Sequence, residues 1–77
     1  MKLYRVGIRF SCDYPQSSGK TCPEDHCRHL LVHSDSPDSA REISRTKVIK
    51  DTADCNNHRN FRWDYITEET NPIIEHI

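Results

Sequence analysis

From Tyr4 to Cys12 the chain alternates without a break: Tyr4, Val6, Ile8, Phe10 and Cys12 are apolar, and Arg5, Gly7, Arg9 and Ser11 stand between them. Period-two alternation places the first set on one face of a β-strand and the second on the other. Such a strand needs a sheet to belong to and a cover for its apolar face, which constrains the fold more than any other segment.

Residues 13–25 collect Pro15, Ser17, Ser18, Gly19 and Pro23 and read as a long turn. "CRHLLVHS", residues 27–34, reads as a shorter second strand, with Leu30, Leu31 and Val32 contiguous. That run implies burial on both faces or a bulge. Ser36, Pro37 and Asp38 announce a helix, respectively as N-cap, first helical residue and an acid near the positive end of the dipole. Ala40 and Ile43 are expected on its inner face, and the helix is expected to reach about residue 50. "ADCNNHRN" reads as a turn. In "NFRWDYITEE", Phe61, Trp63 and Tyr65 are expected on one side, with Arg62, Asp64 and Ile66 on the other. "IIEHI" after Pro72 reads as a short edge strand or a packed tail.

The expected fold is therefore α+β: a single domain over 1–77, with a three- to four-stranded, mainly antiparallel sheet and one helix on one face, in ββαβ order. Arg5, Arg9 and Arg62 are expected on the face that the helix leaves open.

With 77 residues, 34% hydrophobic and 30% charged, the core is thin. Lean domains of this size often recruit a metal, a disulfide or a second chain. The opening "MKLYRVGIRF" carries Lys2, Arg5 and Arg9 and does not read as an export signal, and no apolar run has the length of a membrane helix. The expected location is the cytoplasm, with no membrane association, where the four cysteines would be thiols or metal ligands. Net charge is −1, so the chain as a whole exerts no pull on nucleic acid. Residues 41–62 nevertheless carry six basic and three acidic groups, while residues 63–77 carry four acidic groups and no Lys or Arg.

Gly19-Lys20-Thr21 suggests a phosphate loop, but such a loop needs a glycine five positions before Gly19, and Tyr14 stands there. Zinc is a stronger expectation. Cys22 and Cys27 form one pair and Cys55 and His58 a second, as a tetrahedral site on two turns would require. Cys12 and His29 are substitutes. Four protein ligands make such a site structural; the competing reading is no cofactor, with small thiols filling gaps and His58 on the surface. His29 and His33 share a strand face, where histidine is ordinarily a solvated polar residue. No paired acidic motif, Gly-x-Ser-x-Gly or His-Glu-x-x-His occurs, and the chain is read as non-enzymatic.

Arginine's flat, multi-donor head group recognises carboxylates and phosphates, so Arg5, Arg9 and Arg62 are the expected partner-binding residues. The leading expectation is a small interaction protein that binds a larger protein or a ribonucleoprotein. In its compact strand-strand-helix-strand order and local charge blocks the chain resembles small phage- or mobile-element-encoded inhibitors of host machinery, including some anti-CRISPR proteins. The resemblance is organisational and assigns no residue a role. The alternative is a zinc-stabilised nucleic-acid-binding module using Cys22, Cys27, Cys55 and His58 for the metal and the arginines for phosphates. The thin core and the apolar tail make a homodimer a further expectation.

Overall fold

The computed structural model describes residues 1–69. The element order is β1 (Lys2–Pro15), β2 (Thr21–Ser34), α1 (Pro37–Asp51) and β3 (Asn56–Glu68), and the three strands form one antiparallel sheet in the order β2-β1-β3. The expected ββαβ order is present. The suggested strand in "IIEHI" lies outside the described residues.

The expected long turn after β1 is much shorter. Both strands of the first hairpin run for 14 residues, and Pro15 pairs with Thr21. Gln16 and Gly19 close the turn: the Gly19 N–H donates to the Gln16 carbonyl at 3.0 Å, and the Gln16 N–H donates to Lys20 at 2.8 Å. Gly19 takes φ +85°, a conformation glycine adopts without steric cost. Pro23 is accommodated because β2 is an edge strand. The contiguous Leu30-Leu31-Val32 run produces neither a bulge against β1 nor burial on both faces. Val32 is buried, Leu30 packs against the core, and Leu31 points to the open side and is 56% exposed.

The core lies between β1 and the helix. Tyr4, Val6, Ile8, Phe10 and Cys12 are all buried, joined by Val32, Ala40, Val48 and Cys55. Fully burying side chains such as Val6, Ile8 and Phe10 stabilises by about 1.5–3 kcal/mol each. Ser36 caps α1 by accepting from the Ser39 N–H at 3.2 Å, with Pro37 in the first turn. The buried stripe is Ala40, Ser44 and Val48. Ile43 is turned outward and 41% exposed, because the inner stripe advances by four residues rather than three.

β3 departs from simple alternation. Its register with β1 slips between Gly7 and Ile8, between Arg9 and Ser11, and between Ser11 and Asp13. Asn57 and Asn60 have φ of 55° and 57°, the left-handed conformation that asparagine tolerates better than most residues. At the first slip Gly7 pairs with Tyr65 and Ile8 with Trp63, so Asp64 is the extra residue. A bulge of one residue exchanges the faces of everything beyond it. Trp63 and Phe61 therefore stay on the helix side, while Tyr65 moves to the open side and Ile66 takes its place against the core. The two outer strands thus differ: β2 is regular along its whole pairing with β1, and β3 is bulged.

Candidate functional site

On the helix side, at the far end of the core, the register places Cys12 opposite Glu24 and Phe10 opposite His26. Cys55, on the turn between α1 and β3, completes a group in which one donor atom each of Cys12, His26 and Cys55 lies within 4.8 Å of the others. Cys12 and Cys55 are buried and His26 half-buried. The turn carrying Cys55 is fixed by its N–H donating to the Thr52 carbonyl at 2.9 Å. The Nε2–H of His26 donates to Oε1 of Glu24 at 3.1 Å, and its ring stacks on Phe10 with centroids 5.2 Å apart. Burial pushes the Cys12 thiol up to about 12, and its hydrogen bond with Cys55 adds to the shift.

The open face holds a different constellation. Arg9 lies between Cys27 on β2 and Arg62 on β3. A hollow of about 690 Å³ reaches this face, lined by Arg9, Ser11, Asp25, Cys27 and Arg62 together with Asn60 and with Phe10, His26 and Phe61 of the helix side. Arg9 donates to Asp64 at 2.7 Å, Arg5 to Glu69 at 2.8 Å and Arg59 to Asp13 at 3.0 Å. Hydrogen bonds from Arg59 and Asn57 hold the Asp13 carboxyl below its usual range. Hydrogen bonding to their acidic partners, followed by direct charge attraction, raises the already high values of Arg5 and Arg9. Toward the other end of the face, Cys27 Sγ lies 3.7 Å from Nε2 of His29, whose Nδ1 lies 2.8 Å from the Tyr65 hydroxyl.

The expected metal set of Cys22, Cys27, Cys55 and His58 is not assembled. Cys22 and Cys27 are five residues apart in one continuous strand, so the pleat sends them to opposite faces. Cys22 pairs with Tyr14 near the hairpin tip, and exposed Cys27 is on the face away from Cys55. His58 donates through Nε2 to the Thr52 carbonyl at 3.2 Å, and the same nitrogen lies 2.8 Å from the Thr52 hydroxyl. The group that does converge includes Cys12, expected only as a substitute ligand, and His26, which lies outside the expected set. Its signal was the register: once the turn is centred near Ser18, residues 10 and 26 and residues 12 and 24 become cross-strand pairs.

The expected recognition residues fare differently. Arg5, Arg9 and Arg62 are exposed and share the open face, but Arg5 and Arg9 are already held by acids from β3 and its end. The aromatic rings are not open platforms. Trp63 donates through Nε1 to Ser44 Oγ at 2.9 Å, Arg41 lies 5.0 Å from its ring centroid, and Arg45 lies 4.9 Å from that of Phe61. No helix among the described residues is long and apolar enough to cross a membrane. Comparison with protein-family models, curated proteins and solved structures finds no match.

Proposed function

We propose that this chain is a small non-catalytic interaction protein that grips an acidic group of a larger protein, or of a ribonucleoprotein, on the open face of its sheet. The main support is the pairing of Arg9 with Arg62 across β1 and β3, at the rim of the hollow. Like charges directly opposite on a sheet are unfavourable. Asp64 compensates Arg9, and no ion pair compensates Arg62 among the described residues. A partner carboxylate would supply the missing charge and the bidentate hydrogen bonds that guanidinium favours. An inhibitor that acts by occupying a partner's surface needs no further chemistry, and four free thiols suit a reducing compartment such as the cytoplasm.

Nucleic-acid binding has less support. Two of the three arginines already have acidic partners, and Phe61 and Trp63 are overlaid by arginines from α1.

The test is affinity capture with the immobilised chain and with Arg62→Glu, with and without nuclease, across a salt series. The reading expects protein retained by the native chain after nuclease treatment and lost by the variant. Identical retention by both, or nothing retained at physiological salt, rejects it. Retention that disappears with nuclease and falls steeply with salt would instead identify phosphate contacts.

A further inference from the structure

Four observations converge at the far end of the helix-side core. Two thiols and an imidazole come from three separate parts of the fold: β1, β2 and the α1–β3 turn. Cys12 is fully buried and Cys55 nearly so, at 0% and 4% exposure. The His26 ring is stacked on Phe10, which limits its rotation. Glu24 accepts the Nε2–H, leaving Nδ1 as the nitrogen with a free lone pair.

We propose that Cys12, His26 and Cys55 hold one thiophilic metal ion with a filled d shell, zinc(II) or copper(I), as a structural clamp between the hairpin and the end of the helix. Thiolates and imidazole are the donors that select these two ions over magnesium or calcium. Donors bound to one zinc at about 2.0–2.3 Å stand about 3.5–3.8 Å apart. The three donors here are within 4.8 Å of one another, so side-chain rotations of about an ångström bring them onto a common ion.

Glu24 has the supporting role. A carboxylate on the non-ligating nitrogen fixes the tautomer and orientation of a metal-binding histidine. Binding forms two metal–sulfur bonds and one metal–nitrogen bond, and the two thiol protons leave to solvent. Three protein donors satisfy copper(I), while zinc(II) takes a water or a carboxylate oxygen as its fourth. The burial of both sulfurs, and their place where β1, β2 and the α1–β3 turn meet, make the ion's role architectural. The three donors are distinct from the arginines on which the proposed function rests, although His26 also lines the hollow beside Arg9 and Arg62.

The experiment titrates the reduced full chain anaerobically with zinc(II) and, separately, with copper(I), reading bound mass by native mass spectrometry and Tm by calorimetry. The expected result is one ion per chain. At ion concentrations about a hundred times the dissociation constant, Tm rises by about 10 °C or more. Cobalt(II), replacing zinc, gives a thiolate charge-transfer band. Cys55→Ser abolishes that band, while Cys22→Ser and Cys27→Ser keep it. Glu24→Gln, which leaves the core untouched, weakens binding about 10- to 100-fold and keeps the proposal testable if Cys55→Ser does not fold. Failure of both ions to bind at one equivalent overturns the proposal, as does full-strength binding in Cys55→Ser or Glu24→Gln. So does a Cys12–Cys55 disulfide that forms on oxidation in a chain whose reduced form takes up no metal.

Discussion

The Tyr65 hydroxyl lies 2.8 Å from Nδ1 of His29, with Gly7 of the central strand beneath the tyrosine ring. The two residues belong to the two outer strands and meet above β1, which a side chain at position 7 would prevent. A Cβ built on Gly7 would lie 2.8 Å from Tyr65 Cζ, closer than real contacts allow. Gly7→Ala is therefore expected to destabilise by about 1–3 kcal/mol through overpacking. In a Tyr65→Ala background the same change should cost almost nothing. Urea unfolding of the four proteins measures the coupling, and equal costs in both backgrounds would contradict the stacked arrangement.

Ser44 is buried on the inner face of α1, where its hydroxyl donates to the Arg41 carbonyl at 2.8 Å and accepts from the Trp63 indole at 2.9 Å. Ser44→Ala removes the acceptor and leaves the indole N–H without its partner, at an expected cost of about 1–3 kcal/mol. Equilibrium unfolding followed by Trp63 fluorescence reports the stability and the indole environment together. An unchanged emission maximum and midpoint would show that the contact does not persist in solution.

Ser36 caps the helix from just outside its first turn. Ser36→Ala should cost about 1 kcal/mol and Ser36→Asp very little, because aspartate caps equally well. Thermal unfolding by circular dichroism distinguishes this from a general sensitivity of the position, which would affect both variants alike.

Asp13 titrates below its usual value of 3.8 because Arg59 and Asn57 hydrogen-bond to its charged form. A depressed folded-state value means that this stabilisation is present above the unfolded value. It is lost as pH falls through the folded one. Asp13→Asn should therefore flatten the loss of stability below about pH 4 and leave the neutral-to-alkaline side unchanged. Acid titration of both proteins measures this, and parallel curves would count against the ion pair.

Cys12 sets the opposite limit. Its thiol is raised from 9.0 to about 12 by burial first and by Cys55 second. Its contribution is complete below the unfolded value and disappears as pH rises through the folded one. The metal-free chain should lose stability between pH 9 and about 12, and Cys12→Ala should lose less over that window. A variant as alkali-sensitive as the native chain would remove Cys12 from the explanation.

Much of the fold was legible because local and global signals agree. The alternation from Tyr4 to Cys12 is the buried face of β1, and Ser36-Pro37 begins α1 where capping chemistry requires. What escaped reading was set by pairing. Tyr65 and Ile66 exchanged faces because Asp64 is an extra residue against β1, a fact that resides in two strands rather than one. The Cys12, His26 and Cys55 group escaped for the same reason. Cys22 and Cys27 form a ligand pair only if residues 13–25 are a turn. A continuous strand separates them by geometry and brings His26 beside Phe10 instead.

The contrast between a regular β2 and a bulged β3 makes the sheet one-sided for growth. An incoming strand finds unbroken backbone spacing only along the rim after Pro23, while Asn57 and Asn60 notch the other rim with left-handed kinks. Two molecules meeting smooth rim to smooth rim would leave only notched rims outermost. Such a union ends at a closed pair and has no repeat from which to lengthen into a fibre.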